Sequence, residues 1–123
     1  MNPVTADSRG VKDGDTVYVY NDRGCTKLPV YVTKTILPGY VSIEHGSWYR
    51  PHPTETVTVY DVSHDDADAA LDSFVTRKVP VDIGGNDNVL TNDYFGEDSA
   101  YVGGAVPAQC GPCEISLINP DEL

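Results

Sequence analysis

The most informative part of this sequence is Val11-Lys12-Asp13-Gly14-Asp15-Thr16-Val17-Tyr18-Val19-Tyr20-Asn21-Asp22-Arg23-Gly24. Between Thr16 and Tyr20 valine alternates with tyrosine, so apolar side chains point to both faces, as in a strand that is covered on both sides. The four residues that follow are typical of a hairpin turn in which Gly24 takes a positive φ. The stretch therefore predicts a buried β-hairpin.

The rest of the chain predicts a mainly β domain. Asn2 and Pro3 suit the start of a short helix, and Gly10 suits its end. Leu37-Pro38-Gly39-Tyr40 has the residue order of a type II turn. Further strands are predicted at residues 27–33, 40–44, 56–62, 80–83 and 114–118. Strands that are apolar on both faces and joined by tight turns favour a small closed barrel over an open sheet.

Two regions are expected to interrupt this pattern. Pro51 and Pro53 should break the chain before the strand at 56–62, because proline cannot donate to a strand ladder. Residues 63–75 are acidic and begin with Ser63, a good N-cap, so they are interpreted as a surface helix or ordered insertion. A metal-binding acidic loop is the alternative, although the Asp-x-Asp-x-Asp-Gly pattern of calcium loops does not occur there.

Size and charge limit the possible functions. The 123 residues are enough for one domain with its own core. With 19 acidic and 8 basic side chains, the formal net charge is −11, which argues against nucleic acid as a partner. No run approaches the roughly 20 apolar residues of a membrane helix, so no direct membrane insertion is predicted. The acidity could also simply serve solubility or a salty habitat.

Four motifs carry a family resemblance, and they occur in a fixed order along the chain. They are Asn2-Pro3-Val4-Thr5-Ala6 with Gly10-Val11-Lys12-Asp13-Gly14-Asp15, then Asn21-Asp22-Arg23-Gly24, then Pro38-Gly39 through His45-Gly46-Ser47-Trp48-Tyr49, and finally Asn88-Val89-Leu90-Thr91. Each is a common turn or strand end by itself. Together they resemble the C-terminal domain of the dimethyl sulfoxide reductase family of molybdopterin oxidoreductases.

The resemblance implies a fold and a place in a larger enzyme. The fold would be a six-stranded double-psi β-barrel over residues 1–123, with an acidic insertion near 63–75. Because the family's domain starts earlier than Met1 does here, the chain is expected to be a fragment of a larger catalytic subunit, without the N-terminal part of the domain. The remaining domains would carry the metal ligand and the substrate funnel, so no catalytic or metal-binding residue is expected in this chain.

The resemblance also implies a cofactor, molybdopterin guanine dinucleotide, whose molybdenum or tungsten is held by the parent enzyme. The residues expected to contact it are His45, Gly46, Trp48, Asn88 and Gln109. Glycine permits close backbone approach, indole offers an aromatic face and an N–H, and an amide can both donate and accept. The acidic chain would hold the phosphates through backbone N–H groups and neutral side chains.

Each of these residues also has a simpler interpretation. Trp48 could be a core residue, His45 a satisfied polar group at a strand end, and Asn88 a residue that only shapes a turn. Gln109 is included because the family often places a polar contact at that point, and the residue pattern adds nothing further.

The resemblance implies partners and a location as well. The partners would be the remaining domains of the catalytic subunit, together with iron–sulfur and membrane-anchor subunits, in a prokaryotic enzyme of anaerobic respiration. Export of the parent enzyme to the cell envelope is compatible with the family. The alternative is a free-standing small β-barrel subunit of a molybdenum or tungsten enzyme complex.

Three other chemistries compete with this interpretation. Cys110-Gly111-Pro112-Cys113 is the thioredoxin-type redox motif, but no βαβ pattern surrounds it, which favours a disulfide or two buried thiols. A zinc site would need both of these cysteines, Cys25 and a histidine, and their spacing does not support one. Gly46-Ser47 could cleave itself as in aspartate decarboxylase, which a single intact band of about 13.3 kDa would exclude.

Overall fold

A computed structural model of the chain describes residues 1–62, 74–91 and 112–123. The strands are β1 (Thr16–Tyr20), β2 (Cys25–Pro29), β3 (Pro51–Val62), β4 (Phe74–Asp82) and β5 (Glu114–Ser116). They form one sheet in the order β3-β4-β2-β1-β5. Helix α1 spans Pro3–Ser8, and short 3-10 helices span Asp87–Leu90 and Pro120–Glu122.

The prediction of a mainly β chain is confirmed, whereas that of a closed six-stranded barrel is not. Across the described ranges the sheet has five strands and stays open, with β3 and β5 at its edges. One physical reason is that residues 40–44, expected to be a strand, run irregularly and pair with no strand in the described part of the chain. The alternation of apolar and polar residues in this segment reflects side-chain burial instead, because Val41 and Ile43 pack against the core.

The β1–β2 hairpin forms as predicted, with Thr16 opposite Pro29 and Tyr20 opposite Cys25. Asn21 shapes the turn, since its Oδ1 accepts hydrogen bonds from the N–H groups of Arg23 at 2.9 Å and Gly24 at 3.3 Å. β2 ends at Pro29, earlier than the predicted 27–33.

Glycine is required at the end of this turn for a reason that differs from the prediction. Gly24 does not have a positive φ. Instead, a Cβ there would collide with the carbonyl oxygen of Val89 and lie 3.3 Å from the Val89 Cβ. The hairpin turn is therefore in direct contact with the 3-10 helix at Asp87–Leu90.

Both faces of β1 are covered, as the valine–tyrosine alternation predicts. On one face Val17 and Val19 pack in a core with Ala6, Val11 and Ile115. On the other face Tyr18 packs in a second core with Cys25, Val57, Val59 and Val81. The two cores explain why this short strand carries few polar residues.

The two prolines do not break the chain, and that prediction is wrong. Pro51 and Pro53 lie inside β3, an edge strand, where the missing N–H group is tolerated. An irregularity in the register falls between Pro51 and Thr56. The His52 Nδ1 accepts hydrogen bonds there from the N–H groups of Thr54 at 3.2 Å and Glu55 at 2.8 Å, which stabilises the bulge.

The chain segments around the sheet match the predictions in part. Asn2 caps α1 by accepting from the Val4 N–H at 2.9 Å, and Gly10 follows the helix with φ 65°. The strand predicted at 80–83 is the end of β4, which stops at Asp82, and the strand predicted at 114–118 is shortened to β5 at Glu114–Ser116. Residues 63–73 of the expected insertion lie outside the described residues, and residues 74–75 belong to β4 instead of the insertion. Among the described helices none is long and apolar enough to cross a membrane.

Cys25 is expected to be unreactive in the folded chain. It is 1% exposed, and burial, with smaller effects from nearby carboxylates, raises the pKa of Cys25 from 9.0 to about 12. The thiolate fraction at neutral pH should then be about a thousandfold lower than for an ordinary thiol. Alkylation by iodoacetamide, followed by peptide mass mapping, should label half-buried Cys113 well before Cys25.

The control is the same labelling in guanidinium chloride, where Cys25 should react as fast as Cys113. Equal labelling rates in the folded chain would contradict the buried placement of Cys25.

Within the described ranges no group of three or more His, Cys, Asp or Glu could hold a metal ion. Cys110 lies outside those ranges, so the two alternatives for Cys110 and Cys113, a disulfide or two buried thiols, stay predictions.

Candidate functional site

A buried carboxylate organises one end of the sheet. Asp82, the last residue of β4, is 0% exposed. Its Oδ1 accepts from the N–H groups of Arg50 at 2.8 Å and Gly84 at 2.9 Å. Its Oδ2 accepts from the Asn86 N–H at 2.7 Å and the Thr26 hydroxyl at 2.8 Å. Burial by itself would raise the pKa of Asp82, but these hydrogen bonds outweigh it and lower the pKa.

The carboxylate joins two loops, here called the histidine loop (residues 44–50) and the glycine loop (residues 83–91). The Ile83 N–H donates to the Arg50 carbonyl at 2.8 Å, and the Arg50 Nη2 donates to the Ile83 carbonyl at 3.2 Å. A Cβ at Gly84 would collide with the carbonyl oxygen of Trp48. The two loops are therefore packed together at the level of their backbones.

A side-chain contact joins the same loops further out. The His45 Nδ1 lies 3.1 Å from the Asp87 Oδ2. Asp87 is only 19% exposed at its side chain, whereas the His45 side chain is 70% exposed. The carboxylate therefore fixes one edge of the imidazole while the rest of the ring faces solvent.

The glycine loop ends in the 3-10 helix that carries Asn88. Asn86 caps this helix by accepting from the Asn88 N–H at 2.9 Å, and Thr91 donates back to the Asn88 carbonyl. Asn21 of the hairpin turn donates to the Leu90 carbonyl at 2.7 Å. The backbone of Asn88 is thus fully fixed, and its exposed side-chain amide makes no hydrogen bond to any described residue.

The structure places four of the five predicted contact residues on these neighbouring loops. His45 and Trp48 lie on the histidine loop, and Asn88 lies on the glycine loop. Trp48 is 90% exposed, so its interpretation as a core residue is wrong. Gly46 has φ 101°, a backbone conformation that requires glycine. The space around it is open, since no described atom lies within 4 Å of a Cβ built there. Gln109 lies outside the described residues.

A cavity of about 500 Å³ opens beside both loops. From the two loops Glu44, Ser47 and Gly85 line it, together with apolar sheet residues that include Val17, Val19 and Ile115. The predicted contact residues on these loops are not among the lining residues. A Cβ at Gly85 would lie 2.5 Å from the Leu28 Cδ2, so a larger residue would crowd this part of the cavity. Cavities of this size and character are typical of small-molecule sites.

The chemistry of the exposed groups suits a ligand with flat polar rings and phosphates. The indole of Trp48 offers a stacking surface, the Asn88 amide can pair with a ring edge, and the Arg50 guanidinium supplies positive charge. The N–H groups of Gly84 and Asn86 are already bound to Asp82. They do not form a phosphate cradle, and phosphates must find other donors.

Sequence reasoning missed Asp82, Arg50 and Ser47. The available signal for Asp82 was an acidic residue between the apolar run Val79–Val81 and the Gly84-Gly85 pair, which is a weak pattern. Two of its four partners, Arg50 and Thr26, are 32 and 56 residues away along the chain. A periodic pattern of neighbouring residues cannot predict contacts between residues so far apart in the sequence.

Comparisons with known proteins agree with the resemblance. A family model described as "Molydopterin dinucleotide binding domain" matches residues 1–102. Dimethyl sulfoxide reductase DmsA of Haemophilus influenzae is 43% identical over 51 residues, which are 42% of this chain and 6% of that protein. Dimethyl sulfoxide/trimethylamine N-oxide reductase of Cereibacter sphaeroides is 40% identical over 60 residues, 48% of this chain and 7% of that protein. Trimethylamine-N-oxide reductase of Vibrio vulnificus is 41% identical over 51 residues, again 42% and 6%.

The matched segments therefore span only a small part of each relative's length. The family model, in contrast, covers most of this chain. On that match, the chain belongs to the molybdopterin dinucleotide-binding domain family of the dimethyl sulfoxide reductase class.

Proposed function

We propose that this chain holds the guanine form of the molybdopterin dinucleotide at the histidine and glycine loops. The observation that carries the proposal is the Asp82-linked pair of loops, which together expose an indole, an imidazole and an unpaired amide. Solvent-exposed aromatic and amide groups on a backbone this well fixed are typical of binding residues.

Each residue has a role in this proposal. The Trp48 indole stacks against a ring of the cofactor, and the Asn88 amide pairs with the polar edge of the guanine or the pterin. His45, oriented by Asp87, donates or accepts at a neighbouring polar atom. Gly46 lets the histidine loop turn sharply between these side chains. Gln109 is proposed as a further contact on the family resemblance alone.

The phosphates need positive charge, which this acidic chain supplies sparingly. Arg50 is exposed and lies on the histidine loop, where its guanidinium can reach a phosphate while its backbone stays bound to Asp82. Bidentate contacts between guanidinium and phosphate are strong and directional. Other domains would supply the remaining cationic contacts.

The wider enzyme is also part of the proposal. When bound, the cofactor supplies the metal centre that exchanges electrons or an oxygen atom with a substrate. This chain's own residues would bind and orient the cofactor and exclude water from it. The relatives are reductases of dimethyl sulfoxide and trimethylamine N-oxide, and we propose a parent oxidoreductase of that class, in a prokaryotic anaerobic respiratory chain with iron–sulfur and membrane-anchor subunits.

A closed barrel is proposed for the complete domain. The open edges of the sheet at β3 and β5 are the feature that favours closure by further strands. A six-stranded double-psi barrel would pair these edges.

The proposal predicts binding of guanosine diphosphate, a probe for the nucleotide end of the cofactor. Titration followed by ¹H–¹⁵N NMR should shift the Trp48 indole and Asn88 signals even if the dissociation constant is only about 1 mM. Trp48→Ala should weaken this binding by roughly tenfold, because stacking of one base on an aromatic side chain is worth about 1–3 kcal/mol.

The matched control is Tyr60→Ala, which removes another exposed aromatic ring, 57% exposed on β3. It should leave the affinity for guanosine diphosphate unchanged. Adenosine diphosphate serves as the control for the base, and Asn88→Ala should reduce the preference for guanine. The proposed function would be contradicted if saturating guanosine diphosphate left both loops unshifted.

A further inference from the structure

We propose that Asp82 is a positioning residue that sets the spacing between the two cofactor-binding loops. The inference rests on the proposed function and extends it to a residue that the cofactor does not touch. Asp82 is fully buried and accepts four hydrogen bonds. A carboxylate has about four lone-pair positions, so Asp82 has no capacity left for a ligand.

The four hydrogen bonds are divided between the two oxygens in a way that links three segments. Oδ1 accepts from Arg50 of the histidine loop and from Gly84 at the start of the glycine loop. Oδ2 accepts from Asn86, further along the glycine loop, and from Thr26 of β2. One rigid, planar group thereby fixes both loops relative to the sheet.

These hydrogen bonds also affect the positions of the side chains that are proposed to contact the cofactor. Arg50 is two residues after Trp48, and Asn86 is the cap whose side chain binds the Asn88 N–H at 2.9 Å. The carboxylate therefore determines where the indole and the amide stand relative to each other. The collision that a Cβ at Gly84 would make with the Trp48 carbonyl shows how little spacing the two loops allow.

The charge of Asp82 is essential, because three of its four donors are backbone N–H groups that cannot reverse. Asparagine has the same shape but only one accepting oxygen. If its NH₂ takes the Oδ2 position, the Thr26 hydroxyl can rotate and accept, but the Asn86 N–H meets another donor. Asp82→Asn should therefore free the part of the glycine loop around Asn86, while Arg50 and Gly84 keep their acceptor.

The test compares Asp82→Asn with Thr26→Val in the 123-residue chain. Thr26→Val also removes one hydrogen bond to the carboxylate but leaves every bond between the carboxylate and the loops. It therefore controls for a general loss of stability at this position. Amide hydrogen exchange, measured without ligand, should speed up by about tenfold at Asn86 and Asn88 in Asp82→Asn. Exchange at Val17 and Val19 should change no more than in Thr26→Val.

Binding of guanosine diphosphate is the second readout. We expect Asp82→Asn to weaken it by about tenfold and Thr26→Val to leave it within about twofold of the wild type. Unchanged exchange at Asn86 and Asn88 in Asp82→Asn, or equal loss of affinity in both variants, would overturn the positioning role.

Failure of the proposed function gives a different result. If the wild-type chain does not bind guanosine diphosphate, the cofactor site is wrong, and the exchange measurement alone then decides whether Asp82 fixes the loops. If Asp82→Asn does not fold, Gly84→Ala replaces it, because the added Cβ forces Trp48 away while the Asn86 and Thr26 bonds remain. Wild-type exchange at the histidine loop, together with wild-type affinity in Gly84→Ala, would overturn the proposal.

Discussion

Asp82→Ala is expected to lower the free energy of unfolding by at least about 3 kcal/mol, because three backbone N–H groups lose their acceptor at once. These groups belong to Arg50, Gly84 and Asn86. Each unpaired buried donor destabilises by about 1–3 kcal/mol, and water can relieve part of this near the loop surface. The expected loss is a large share of the roughly 5–15 kcal/mol typical of a whole domain.

The location of Asp82 adds to this loss. β2 pairs with β4 at Thr26 and Asp82, where the antiparallel pair of β3 and β4 joins the rest of the sheet. The Thr26 hydroxyl donates to the carboxylate at that junction. Losing the side chain therefore weakens the connection between the two parts of the sheet as well as the loops.

Urea denaturation followed by far-UV circular dichroism should measure the change. Fluorescence of Trp48 is a poor probe, because this side chain is already 90% exposed in the folded chain. Asp7→Ala is the control, since Asp7 is an exposed aspartate on α1 whose carboxylate makes no contact within the described residues. A difference of less than about 0.5 kcal/mol between the two variants would contradict the account of Asp82.

The parts of the fold that sequence predicts well are those specified by neighbouring residues. The hairpin from Thr16 to Pro29 follows from alternation and a turn motif, and the cap at Asn2 follows from a side chain two residues from its partner. The type II turn at Leu37–Tyr40 is confirmed by the φ of 84° at Gly39 and by the hydrogen bond from Tyr40 to Leu37. In each case the physical cause lies within a few residues.

The predictions that are wrong concern the context of a segment. Residues 40–44 alternate like a strand, but a strand also needs a partner with free backbone groups, and alternation cannot show whether one is there. The prolines at 51 and 53 are tolerated because β3 is an edge strand, which is a property of strand order. Strand order depends on pairings across the whole chain.

The candidate site shows the same division. Family resemblance pointed to His45, Trp48 and Asn88, and the structure places them on two loops that touch. Nothing in the sequence indicated that a buried carboxylate joins these loops, because its donors come from three separate segments. The side chains that face a ligand can be recognised from local motifs, whereas the group that holds them in place is visible only in three dimensions.

Gly24→Ala is expected to destabilise the chain by about 1–3 kcal/mol and to displace the glycine loop, which contacts the hairpin turn at Val89. Gly24 is buried, and an added Cβ would collide with the Val89 carbonyl oxygen. A backbone oxygen cannot move aside as the end of a flexible side chain can. Either the hairpin turn or the 3-10 helix at Asp87–Leu90 must shift, and the Asn21–Leu90 hydrogen bond of 2.7 Å would be strained as well.

Gly14→Ala is the matched control, because Gly14 has φ 86° and no described atom lies within 4 Å of a Cβ there. It should cost about 1–2 kcal/mol through backbone strain alone. The two variants can thus have similar stability and still differ locally. Only Gly24→Ala should speed amide exchange at Asn88 and weaken binding of guanosine diphosphate. If both variants left the Asn88 amide equally protected, the hairpin turn would not be the support of the glycine loop, and the position of Asn88 would have to depend on Asp82 and Asn86 alone.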